Sequence, residues 1–188
     1  AKTPFEVMVG AILAQNTNWG NVQKAIENLK EKKLLTPGKL YALSDRRLAS
    51  LIRPAGYFNV KAGRLKNFLY FLRSRYKANI QAMSRVRTDF LRRQLLTVNG
   101  IGPETADSIL LYGLAKRIFV VDAYTTRILS RHRLIQKDAG YAQVQRLFMR
   151  ALKPDAQLFN EYHALLVRLG KEFCLKNKPK CSLCPLKK

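Results

Sequence analysis

A chain of 188 residues has the length of one domain or two small lobes, and 47% hydrophobic residues supply a buried core, which excludes wholesale disorder. Charges interrupt every apolar stretch, so no membrane-spanning helix is expected. Lys and Arg number 35 against 12 Asp and Glu, a net charge of +23, and so large an excess repels itself in a compact fold unless a polyanion relieves it. The basic residues are spread along the chain, so the folded surface carries the charge and nucleic acid is the expected partner, through phosphate neutralisation and counterion release. No charged-then-apolar secretory signal opens the chain, and Ala1 in place of Met is read as a trimmed start. A cytoplasmic, nucleoid-associated monomer is the expectation.

The predicted elements are helices almost throughout. Phe5 to Ala14 is apolar nearly all round, as a central buried helix would be, and Val22, Ala25, Ile26 and Leu29 share one helical face. Thr36-Pro37 and Ser44-Asp45 are helix starts, the second leading into Leu48, Leu51 and Ile52. Asn59 is expected to precede a helix carrying Ala62, Leu65, Leu69 and Leu72, and Thr88-Asp89 to start one through Phe90, Leu91 and Leu95. Further helices are expected near 103–114, 123–131, 141–152 and 155–175. The one strand candidate, Ile118-Phe119-Val120-Val121, is too short and solitary to make a sheet. The fold class is all-α.

Three features carry chemistry. Between two helices lies Asn99-Gly100-Ile101-Gly102-Pro103-Glu104-Thr105, a tight turn with Ile101 as an apolar plug. Glycines there admit positive φ and let a phosphate approach the amides of Gly100, Gly102 and the next helix, although a packing corner uses the same pattern. Asp122 stands between an apolar run and Ala123-Tyr124-Thr125, where it is either a plain N-cap or a carboxylate placed to stabilise a developing cation. Cys174, Cys181 and Cys184 are the only cysteines and crowd the last fifteen residues, among Lys176, Lys178, Pro179 and Lys180. That clustering favours a metal site over a disulfide framework, yet three thiolates complete neither a tetrahedral zinc site nor a four-cysteine iron–sulfur site.

The ordered set of hairpin, Val121-Asp122 and cysteine loop resembles the endonuclease III superfamily of helix-hairpin-helix DNA glycosylases, over essentially the whole chain. The resemblance implies two lobes, a helical barrel over about 1–116 with the helix-hairpin-helix at about 89–114 and a cluster-bearing lobe over 117–188, with the active cleft between them. It implies damaged duplex DNA as the partner. It also implies a 4Fe-4S cluster on Cys174, Cys181 and Cys184, the fourth cysteine falling two residues past Lys188. Asp122 matches the family's catalytic aspartate, and Gln15 the glutamine that fills the gap left by a flipped nucleotide. Tyr57 stands where the family inserts a wedge into the base stack, with helix-end packing as the plain alternative for both. Lys176, Lys178 and Lys180 would then meet DNA.

One departure from the family pattern decides the expected chemistry. Bifunctional members carry a lysine nucleophile where this chain has Glu104, and a carboxylate forms no Schiff base, so a monofunctional glycosylase is expected. Glu104 either shares the pocket or simply favours its helix dipole. The adenine-specific branch has a glutamate where this chain has Ala11. The resemblance therefore points to an already cationic base such as 3-methyladenine, stacked on an aromatic ring for which Trp19 is the candidate, unless Trp19 is a core residue. The alternatives are a glycosylase for oxidised, deaminated or mismatched bases, and a non-catalytic DNA-binding module.

Overall fold

The computed structural model describes residues 3–187. It is all-helical, with no strand among those residues, and divides into two compact units, Ala1–Leu114 and Ala115–Lys188.

The first unit is built around α1 (Pro4–Leu13). Thr3 caps it by accepting from the Glu6 amide, Pro4 occupies the first turn without losing a needed donor, and Met8, Val9, Ile12 and Leu13 are fully buried. Around it pack α2 (Trp19–Glu31), α5 (Phe58–Tyr76) and α8 (Pro103–Ser108), the last running on into a π-helical turn (Ile109–Gly113). The short helices α3 (Pro37–Ala42) and α4 (Asp45–Leu51) start where expected, capped by the hydroxyls of Thr36 and Ser44. In this unit one expectation shifts and one helix is new. α5 begins one residue before Asn59, behind Tyr57 in the left-handed region, because Gly56 and Tyr57 make the turn themselves. The new short helix, α6 (Ile80–Arg85), is capped by Asn79 and buries only Met83, too little to show a periodic stripe.

The hairpin pair is α7 (Thr88–Leu96) and α8. Arg92 of α7 grips Asp107 of α8 with a two-pronged ion pair, Nε to Oδ1 at 2.7 Å and Nη2 to Oδ2 at 3.0 Å, and Asp107 is fully buried.

In the second unit, α9 (Ala123–Arg131) crosses α11 (Ala156–Glu172) at Gly170, where a Cβ would strike Tyr124. The remaining helix, α10 (Tyr141–Ala151), packs beside residues 118–121. These residues are buried yet pair with no strand. Side chains of α10 satisfy their backbone instead: Gln145 Nε2 donates to Phe119 O at 2.6 Å and the Val121 amide donates to the Tyr141 hydroxyl at 3.4 Å. The Phe119 ring stacks on Phe148 at 4.0 Å and meets Phe159 edge-on. α11 ends at Glu172 rather than near 175, because the chain turns there toward the cysteines.

Because Asp107 is fully buried and binds a guanidinium, Asp107→Ala should cost about 3 kcal/mol by removing the carboxylate that Arg92 grips. Chemical denaturation of the variant and the parent measures that loss.

Candidate functional site

In the first unit, three segments carry the expected DNA-facing residues, and α5 holds all three. Gln15 follows the end of α1. Its Nε2 donates to Gly100 O at 2.9 Å and to Thr105 Oγ1 at 2.9 Å, and its Oε1 accepts from Arg64 Nη1. The gap-filling candidate is thus tied to the hairpin. Tyr57 is 74% exposed and sits at φ 45°, a conformation that costs a bulky side chain about 1–3 kcal/mol, so the turn presents the ring to solvent at a price in backbone strain. The hairpin is fixed by Asn67 Nδ2, which donates to Asn99 O at 3.1 Å, and by Ile101, buried as a plug.

The two hairpin glycines act differently. Gly100 has φ +91°, and a Cβ on it would run into the Arg64 side chain. Gly102 has φ −90°, which any residue adopts, so the expected need for positive φ holds at Gly100 alone. What Gly102 offers is bareness: nothing lies within 4 Å of where a Cβ would be, and a phosphate could reach the amides there. Glu104 is exposed on the first turn of α8. Trp19 is the first residue of α2, 46% exposed, with its six-membered ring laid against Gly10. It is neither a core residue nor a free one, but a half-open aromatic surface.

In the second unit Asp122 is the N-cap of α9, and the cap and the candidate catalytic group are one residue. Oδ1 accepts from the Thr125 amide at 2.7 Å and its hydroxyl at 2.9 Å, while Oδ2 lies 3.5 Å from Nε2 of buried His163 on α11. Burial alone would raise this carboxyl, but the His163 and Thr125 hydrogen bonds and the His163 charge outweigh it and hold it below the ordinary carboxylate value. Asp122 is therefore a fixed anion at neutral pH.

Cys174 is buried, Cys184 half-buried and Cys181 exposed on a 3-10 turn (Cys181–Leu183). All three line one pocket of about 270 Å³, yet among the described residues no three His, Cys, Asp or Glu side chains are grouped to hold a metal ion, so the expected centre is a shared pocket and not a formed ligand set. Arg127 and Arg131 of α9 bind the loop from behind. Arg127 donates to Gly170 O and Cys174 O at 2.9 and 2.8 Å, and Arg131 to Leu175 O and Lys176 O at 2.6 and 2.8 Å and to Cys174 Sγ at 3.3 Å. Lys176, Lys178 and Lys180 are exposed on that loop.

Sequence reading missed Lys61, Arg64, Arg92, Asp107, Arg127, Arg131 and His163. Only Lys61 carried a local signal, a lysine four residues before Leu65 in the apolar stripe of α5; the others act over long sequence separations.

With this geometry in place, likeness to known proteins becomes decisive. Residues 9–154 match the family described as HhH-GPD superfamily base excision DNA repair protein. The chain belongs to that superfamily. Along its whole length it is 48% identical to MJ1434 of Methanocaldococcus jannaschii, provisionally named a DNA repair glycosylase, and spans 85% of that protein. A structure of H. pylori 3-methyladenine DNA glycosylase (MagIII) bound to 1,N6-ethenoadenine is 28% identical, with a TM-score of 0.78 over 89% of this chain and 85% of that one. A trapped endonuclease III–DNA covalent intermediate, at 23% identity, shares the fold with a TM-score of 0.85 over 99% of this chain and 82% of that one. This is a DNA glycosylase of base excision repair, and no helix among its described residues is long and apolar enough to cross a membrane.

Two outcomes test this geometry. Gly100→Ala should displace Arg64 and weaken duplex binding by about tenfold, since both the strained φ and the Arg64 contact oppose a methyl group there; titration of a fluorescent duplex measures it. For Asp122, the lowered folded value means its stabilising contribution is whole above the ordinary carboxylate value and fades as pH falls through the lowered one. The stability gap between the parent and Asp122→Asn should accordingly be wide at neutral pH and close in strong acid, as read by denaturation across pH.

Proposed function

We propose that the protein is a monofunctional glycosylase that hydrolyses the glycosidic bond of a flipped alkylated purine such as 3-methyladenine. The observation that carries this reading is Glu104 on the first turn of the hairpin helix, where a lyase would need an amine. A carboxylate there forms no Schiff base, so water must attack the sugar carbon. Asp122, kept ionised by Thr125 and His163, stabilises the positive charge that builds on the sugar as the bond breaks.

A base that is already cationic needs no acid to leave, which agrees with Ala11 in place of a glutamate. Such a base is bound by stacking and cation–π attraction, and the half-open ring of Trp19 is suited to that. The likeness to the H. pylori 3-methyladenine enzyme supports the same substrate class. The bare backbone at Gly102 and the exposed lysines of the cysteine loop bind phosphates, while Gln15 and Tyr57 enter the duplex.

Cys174, Cys181 and Cys184 supply three soft thiolates to one pocket, a donor set that fits a 4Fe-4S cluster once a fourth ligand joins it. When bound, the cluster would cross-link the loop and fix Lys176, Lys178 and Lys180 toward DNA. No step of the hydrolysis needs it.

Incubation with methylated duplex DNA, followed by chromatography of the released bases, tests the substrate. Free 3-methyladenine is expected, lowered about a hundredfold or more in Asp122→Asn, with no covalent adduct on borohydride treatment. An adduct or a cut strand would overturn the monofunctional reading. Release from oxidised, deaminated or mismatched duplexes instead would overturn the substrate.

A further inference from the structure

Lys61 is among the largest fully buried side chains of the protein, at 1% exposure, and the chemistry proposed above does not use it. Its ammonium donates to two carbonyls, Leu13 O at 2.8 Å and Ala55 O at 2.7 Å. Leu13 is the last residue of α1, and Ala55 the last residue of a 3-10 turn (Arg53–Ala55). Two residues past Leu13 is Gln15, and two residues past Ala55 is Tyr57. One nitrogen atom thus joins the ends of the two segments that carry the duplex-entering side chains. The same lysine's backbone amide bonds to Tyr57 O at 2.9 Å, so it holds the strained turn from both sides.

Burying an ammonium is costly, and burial together with the nearby Arg64 charge lowers its affinity for a proton. An apolar residue of the same length would fill the space without that cost, as Ala62, Leu65 and Leu69 do beside it. What an apolar residue would lack is a grip on two carbonyls at once.

We infer that Lys61 is a positioning residue for DNA opening, setting the spacing between Gln15 and Tyr57 so that both enter the base stack together. This role rests on the reading of Gln15 and Tyr57 as duplex-entering residues, though not on any particular damaged base. It separates two properties that a simple packing role would move together: grip on intact duplex, which depends on the hairpin amides and surface cations, and opening of the stack.

The test uses a duplex with a non-cleavable abasic analogue flanked by 2-aminopurine, whose fluorescence rises when the stack opens, so base release plays no part in the readout. Lys61→Met should keep its helical circular dichroism and bind undamaged duplex within about twofold of the parent. Its fluorescence rise should fall about tenfold, as expected when a small misplacement strikes a geometry-dependent step. Lys61→Arg, which still donates, should recover at least about half of the rise. Should Lys61→Met not fold, Lys61→Gln, with one donor group for two carbonyls, carries the same test and should open the stack less than half as well as the parent at unchanged affinity for undamaged duplex. A full fluorescence rise in Lys61→Met or Lys61→Gln would make Lys61 a core residue and overturn the inference. Absence of any rise in the parent would remove the premise that Gln15 and Tyr57 open DNA, and this role with it. A normal rise in a parent that releases no alkylated base would sink the substrate reading and leave Lys61 in place.

Discussion

A cation bound to backbone carbonyls is the interaction on which most of this molecule depends, and Lys61 is its deepest instance. The last carbonyls of any helix have no amide partner within the helix. Lys61 meets that need at Leu13 and Ala55, and the same solution recurs outward along α5. Lys66 donates to Tyr41 O at 2.7 Å and to Leu43 O, closing off α3, and the neutral amide of Asn67 donates to Asn99 O. Residues 61, 64 and 67, spaced three apart, form a slowly winding strip on one helix. That strip fixes the end of α1, the Tyr57 turn and the hairpin to a common rod. Each of the three segments is short and irregular; their precision is borrowed from the nineteen-residue α5.

The second unit uses the same device with arginine. Arg127 and Arg131, one turn apart on α9, bind carbonyls at the end of α11 and along the cysteine loop. A guanidinium presents its donors in a planar fork, so one side chain can hold two carbonyls in fixed relation. The opposite end of α9 is capped by Asp122. One helix therefore carries the candidate catalytic anion at its start and the loop anchors toward its end, with Gly170 allowing α11 close enough for His163 to reach Asp122. The capping role and the chemical role of Asp122 do not compete: the Thr125 bonds that cap the helix also keep the carboxylate charged and still.

Helix starts were legible in the sequence because capping is local. Thr36, Ser44 and Asp122 each act on an amide three residues ahead, a pattern readable from a few adjacent letters. The start of α5 was displaced because Tyr57 adopts a left-handed conformation unusual for its residue type, which composition does not announce. α6 gives no sequence signal because one buried methionine makes no stripe. At the site, the hairpin, Asp122 and the cysteines could be picked out, since each stands in a short distinctive string. Arg64, His163 and Arg92 could not, because their partners lie 49, 41 and 15 residues away and only folding selects them from 35 basic residues and two histidines.

The scarcity of acids gives this design a consequence beyond packing. With 12 carboxylates for 35 cations, most basic groups have no acidic partner to find. A carbonyl satisfies an ammonium or guanidinium through a dipole and leaves its charge uncancelled. Each cation spent on a helix end therefore orders the fold and still contributes to the positive field, whereas a salt bridge would order the fold and erase the charge. The buried carboxylates Glu6 and Asp107 serve packing and the hairpin, and the half-buried Asp122 serves the candidate site. Stability and attraction for a phosphate backbone are thus drawn from the same side chains, and the net charge of +23 is what that arrangement leaves available to DNA.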